Sequence, residues 1–184
     1  MAQENLRVSR LARGWFACAI SAANGNPWVG PLVVLLFLSL YLATSDRPQT
    51  RLKYVSLLVL FGAIVDGLMR GSGSIVYMSP WRAIPWVAPI WIIGMWALFA
   101  TALMSALEWL QDCLVVAAVA GAVFGPLSYL GGERVGAISF SLESSPSLLI
   151  LAAVWGIAVP ASAALARRFR GARPAPAADA TASS

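Results

Sequence analysis

Asp66 stands inside an apolar run from Leu52 to Met69, and Arg70 follows it by four residues. An aspartate at the centre of a membrane helix costs about 2.5 to 3.5 kcal/mol on insertion scales, so its presence calls for a reason. Acid before base at this spacing is the favourable order on one helix face. One reading is a local ion pair that holds the helix in register. The other is a polar site facing the interior of a helix bundle, in which Asp66 and Arg70 are joined by Arg82, Glu133 and Arg134 from neighbouring loops, with Asn24, Asn26 and Glu143 at the same face. The chain has no histidine, which removes His-based acid–base chemistry, Ser-His-Asp triads and the commonest metal ligand. Cys18 and Cys113 read as small packed hydrophobes, so no metal site is expected. No Gly-rich phosphate motif follows a strand, no strand is predicted, and no cofactor is expected.

The elements that must position these groups follow from composition. Of 184 residues, 59% are hydrophobic and 11% charged, against roughly half and a quarter in an average soluble domain. That balance excludes an ordinary soluble domain and the low-hydrophobicity signature of disorder. Two cysteines exclude a disulfide scaffold. A spanning helix needs about 20 apolar residues. Five runs qualify: 29–43, 52–69, 86–107, 113–130 and 147–166. The first of them rises only roughly 22 Å, so it is expected to extend back through Pro27 or on to Ser45. A further run, 14–23, becomes a span when extended back to Val8, with the Arg10 and Arg13 heads snorkelling to the headgroups. The alternative for this segment is a signal peptide, but the run is short and Gly14 interrupts it.

Charge placement decides the number of crossings, because cytoplasmic loops carry an excess of Lys and Arg. With six crossings, ten cations (Arg7, Arg10, Arg13, Arg47, Arg51, Lys53, Arg167, Arg168, Arg170 and Arg173) share one side with both termini. Only Arg70, Arg82 and Arg134 lie opposite. Five crossings would split the cations six to seven, with no bias. The fold expected is therefore an all-α, polytopic bundle of six transmembrane helices with both termini cytoplasmic. Residues 8–170 form its single domain, and residues 171–184 form a tail whose composition cannot order itself. The net charge of +5 then serves topology and attraction to anionic lipid, and no basic stripe points to nucleic acid.

Other marks read as architecture. Gly121 and Gly125, four apart in an apolar helix, allow close approach of a neighbouring backbone, and Pro126 bends the helix beyond them. Thr101, Ser105 and Ser128 are placed for hydrogen bonds between helices. Gly71 to Pro85 reads as an external interfacial loop. Glu108, Trp109 and Asp112 read as a solvated cytoplasmic turn.

Several segments together resemble a bacterial inner-membrane family, domain of unknown function 2878. They are Trp15-Phe16, Pro27-Trp28-Val29-Gly30-Pro31, Val65-Asp66-Gly67, Ala88-Pro89-Ile90-Trp91-Ile92, Trp96-Ala97-Leu98-Phe99-Ala100-Thr101, Gly125-Pro126-Leu127-Ser128-Tyr129 and Gly132-Glu133-Arg134-Val135-Gly136-Ala137. The likeness covers about residues 10 to 168. It implies a multi-pass protein of the bacterial inner membrane and names no activity. Its association with lipid-modification genes implies work on envelope lipids, as a lipid-handling protein or an accessory to lipid-modifying enzymes. Ala102 departs from a second threonine in the family pattern, which counts against a role for paired hydroxyls there. Two other functions fit the residues: a small transporter or flippase working through Asp66, and a His-free lipid hydrolase or transferase using Asp66 with Glu133 or Glu143.

Six crossings make a direct prediction. Alkaline phosphatase fused after Ser74 or Glu143 should be active, and fused after Asp46, Asp112 or Ala172 silent. Activity after Asp46 or Asp112 would rule out the arrangement.

Overall fold

The computed structural model describes residues 2–80, 84, 86–140 and 144–170. Arg82, Glu143, Arg173 and the tail 171–184 lie outside the described residues. Six helices account for most of the chain: α1 (Ala2–Ala23), α2 (Val29–Ala43), α3 (Pro48–Gly71), α4 (Ile90–Leu103), α5 (Leu114–Arg134) and α6 (Ser144–Phe169). Within them, α3, α5 and residues 146–169 of α6 are long and apolar enough to cross a membrane, marking the chain as a membrane protein. Large apolar side chains stand exposed on their outer faces, among them Leu60, Leu68, Val115, Phe124, Leu149 and Ile157. That pattern suits lipid as the solvent.

Two helices are shorter than a full crossing requires. Thr44 closes α2 by donating its hydroxyl to Leu40 O at 2.9 Å, so neither expected extension of that helix occurs. Pro89 stands at the N-cap of α4, which starts four residues later than Trp86. At its other end the chain leaves Leu103 for a 3-10 turn, Glu108–Gln111, and the buried Gln111 donates Nε2 to Leu103 O at 2.6 Å. At 15 and 14 residues, α2 and α4 rise roughly 22 and 21 Å, well under the hydrocarbon thickness of about 30 Å.

The expectation of no strand is corrected. Ile75–Tyr77 (β1) and Ile138–Phe140 (β2) pair antiparallel, with Ile75 opposite Phe140 and Tyr77 opposite Ile138. Each strand has three residues, too few to show an alternating pattern, and its partner is some sixty residues away in sequence. Gly136, at φ +77°, turns the chain out of α5 into β2. The segment read as an interfacial loop is thus partly a ribbon that ties the end of α3 to the end of α5.

Packing fixes the direction of the helices. Ser79, just after β1, donates its hydroxyl to Ala22 O at the end of α1. The α1–α2, α3–α4 and α5–α6 connections therefore gather at one end of the bundle. At the other end Arg51, in the first turns of α3, donates to Met104 O just past α4, and Arg170 pairs with Asp112 beside the 3-10 turn. Helix α5 lies against α6 along most of its length, α1, α2 and α4 form a second group, and α3 touches both α4 and α6.

Small residues set the closest approaches. A Cβ on Gly121 would run into the carbonyl of Trp155, and one on Gly125 into its side chain. Gly121 and Gly125 thus lie where α6 comes against α5, and α5 continues through the buried Pro126. Ser128 accepts a hydrogen bond from Trp15 Nε1 at 3.0 Å, joining α5 to α1. Thr101 and Ser105 instead donate within their own segment, to Leu98 O and Thr101 O.

Gly121→Leu should lower the stability of the detergent-solubilised protein by about 1–3 kcal/mol, the usual penalty of overpacking. Val119→Leu, at a site 60% exposed, should leave it unchanged. Equal melting temperatures for the two variants would contradict this packing.

Candidate functional site

Two polar places stand out, one sealed and one open. The sealed one is built on Asp66, which is 0% exposed. Gly62 and Asp66 lie one turn apart on α3 and face α4. With no side chain at Gly62, the Trp96 indole lies flat against the helix, where a Cβ would overlap it. That placement brings Trp96 Nε1 to 2.6 Å from Asp66 Oδ2. In β1, Ile75 and Tyr77 face inward and Val76 outward, as alternation along a strand requires. The Tyr77 hydroxyl thereby reaches Asp66 Oδ1 at 2.6 Å. From α5, the Tyr129 hydroxyl donates to the same oxygen at 2.5 Å.

The chemistry of this set is one-sided. An indole N–H can only donate, and both phenols donate here, so all three partners direct hydrogens at the carboxyl oxygens. Around them stands an aromatic shell. Trp96 stacks on Trp155 of α6 with centroids 5.0 Å apart and an interplanar angle of 10°. Phe61 and Phe99 meet the Trp96 ring edge-on at 5.8 and 5.9 Å. Such pairs add about 0.5 to 1.5 kcal/mol each beyond their buried area.

The residues expected to share a site with Asp66 are dispersed. Arg70 does not pair with it; its Nη1 donates to Ile84 O at 3.1 Å and Val87 O at 2.6 Å, seating the segment that leads into α4. One turn along α3 moves the long side chain past the carboxylate toward these carbonyls, which replaces the ion-pair reading. Glu133 is half-buried and Arg134 exposed on the last turn of α5, and neither touches Asp66. Arg82 lies outside the described residues. Tyr77, Trp96 and Tyr129, the actual partners, are side chains that join an apolar body to a hydrogen-bond donor. A buried acid without a nearby cation requires such groups, and that requirement is the signal that could have found them.

The open place lies at the opposite end. A cleft of about 230 Å³ is lined by α1, the end of α2, the start of α3, the end of α4 and the 3-10 turn. Arg51 spans it, with its guanidinium carbon 5.0 Å from the centre of the Tyr41 ring. Its Nη1 donates to the Tyr41 hydroxyl and to Met104 O, the latter at 3.2 Å. Arg10 from α1 and Glu108 from the 3-10 turn also line it, together with Phe37 and Leu98. Among the described residues neither Arg10 nor Arg51 forms an ion pair. The turn read as merely solvated is anchored: Arg170 binds Asp112 through two hydrogen bonds, 3.0 and 2.5 Å, and lies 3.8 Å from Glu108. The hydrogen bonds that Arg170 donates to Asp112 raise its pKa and keep it charged.

Comparison with known proteins adds one finding. The family model described as "Protein of unknown function (DUF2878)" matches residues 8–161, and the chain belongs to that family. No curated protein and no solved structure matches it.

The geometry around Asp66 predicts a specific mutant phenotype. In Asp66→Asn the oxygen should stay with the two phenols, leaving the amide nitrogen facing Trp96 Nε1, donor against donor. The variant should lose about 1–3 kcal/mol in thermal unfolding. Adding Trp96→Phe should recover part of that loss, with a coupling of at least about 0.5 kcal/mol. Strict additivity would mean the Asp66–Trp96 bond is not made.

Proposed function

We propose that this member of the DUF2878 family is a six-crossing protein of the bacterial inner membrane that handles envelope lipids by binding a phospholipid headgroup in the cleft between Arg10, Tyr41, Arg51 and Glu108. The observation that carries this reading is the pair of guanidinium groups that line one cleft and form no ion pair among the described residues, at the end of the bundle where the cations concentrate. An arginine pair suits a phosphodiester, since each guanidinium can offer two parallel N–H donors.

The alternating course of the helices supports six crossings. It puts the start of α1 and the end of α6 at the Arg51 end, so the positive-inside bias assigns that end to the cytoplasm. A cleft at the cation-rich end of the bundle is consistent with headgroup depth, where Arg10 and Arg51 would meet the phosphate layer. Helices α3, α5 and α6 are the three whose length supports crossing most directly. Full burial of Asp66 weighs against carrier and hydrolase readings, because a substrate would have to displace a tyrosine or a tryptophan to touch the carboxylate. Binding without turnover suits a protein that presents lipid to, or withholds it from, a lipid-modifying enzyme.

Full-length protein extracted in mild detergent should retain phospholipid, read by mass spectrometry of the purified sample. Arg10→Ala combined with Arg51→Ala should lose most of it and fail to restore the lipid profile of a deletion strain. Retention equal to wild type in a folded double variant would overturn the reading.

A further inference from the structure

The cleft has a donor wall and an acceptor wall. On the donor wall, Arg51 uses only Nη1 within the protein, so Nη2 and Nε are without acceptors among the described residues. Arg10, on an exposed face of α1, adds a second guanidinium. Elsewhere in the same lining, the Thr101 hydroxyl donates its one proton to Leu98 O at 2.7 Å, and the Ser105 hydroxyl donates its own to Thr101 O at 2.6 Å. A hydroxyl whose proton is committed to a carbonyl can only accept from a ligand. Beside them the Glu108 carboxylate lines the same cleft, and its one cation among the described residues, Arg170, is 3.8 Å away and holds Asp112 more closely.

A purely anionic headgroup would satisfy the first wall and leave the second facing a negative charge. The complementary ligand carries a phosphate at one end and a hydrogen-bond-donating cation at the other. We infer that the cleft selects a zwitterionic phospholipid with a protonated primary amine, its phosphate on Arg10 and Arg51 and its ammonium on Glu108, Thr101 and Ser105. This inference rests on the lipid-binding reading above and narrows it to one headgroup class. A quaternary ammonium has no N–H to give to two hydroxyl acceptors, so its headgroup binds less well. A glycerol headgroup has no positive charge for Glu108.

The test is native mass spectrometry of the full-length protein titrated with dioleoyl lipids that differ only in headgroup: ethanolamine, choline and glycerol. The ethanolamine lipid should bind about tenfold tighter than either other lipid, the size of one charge-assisted hydrogen bond. Glu108→Gln should reduce that preference about tenfold while leaving the glycerol lipid unaffected or tighter bound. Thr101→Val, with its hydroxyl removed and shape kept, should weaken the ethanolamine lipid alone. Equal binding of the three lipids, abolished by Arg10→Ala with Arg51→Ala, would overturn the headgroup assignment and leave the lipid-binding reading standing. Binding of all three lipids unaffected by any cleft variant would overturn both.

Discussion

A carboxylate in an apolar bundle has to have its lone pairs filled, and the three hydrogen bonds on Asp66 organise the structure around that need. The donors come from α4, α5 and β1, so one side chain on α3 gathers three other elements. Each donor also belongs to a second structure. Trp96 is stacked on Trp155 of α6, Tyr77 sits in the ribbon, and Tyr129 is in α5 four residues from the glycine that Trp155 packs upon. Helices in lipid gain little from apolar association alone, since lipid tails are as apolar as leucine. A polar centre that accepts from three directions supplies specificity that apolar contact cannot.

The two ends of the bundle are built on opposite terms. Near the ribbon, polar groups are paired inward: Arg70 on two carbonyls, Trp91 Nε1 on Met78 O, Ser79 on Ala22 O. At the Arg51 end, α2 and α4 stop early, and the chain between α4 and α5 must cover the shortfall with a 3-10 turn held by Gln111 and Arg170. Because that turn does not fill the space left by the two short helices, a cleft remains.

Much of this was legible from residue types. The apolar runs located every helix, and Gly121 and Gly125 announced the tight α5–α6 contact. Asp66 announced a polar centre. What escaped was long-range. Pairing Asp66 with Arg70 follows from helix spacing alone, whereas its real partners lie 11, 30 and 63 residues away. A local rule cannot rank those tyrosines and that tryptophan above an arginine one turn off. The ribbon was invisible for the same reason, its strands being too short for a period of two to register. The cleft was hidden because its residues come from five segments, and because Pro89 and the 3-10 turn shorten a helix that the apolar run 86–107 presents as long.

The sealed centre and the open cleft are linked through α3 and α4. Asp66 and Arg51 are fifteen residues apart on α3, roughly 22 Å along its axis, and each bonds to the α4 segment, through Trp96 and Met104 O respectively. These two ties hold α3 and α4 at both ends, so neither helix can rotate without breaking a buried or half-buried hydrogen bond. Thr101 and Ser105 follow Trp96 by five and nine residues on the same chain segment, and Arg51 projects from the same α3 that carries Asp66. The donor and acceptor walls of the cleft are therefore fixed relative to each other by the carboxylate at the far end. The proposed binding site, held in this way, would have little ordering left to do when a ligand arrives, and ordering is a cost that reduces affinity in flexible sites. Asp66 can thus matter to the cleft without ever touching what binds there.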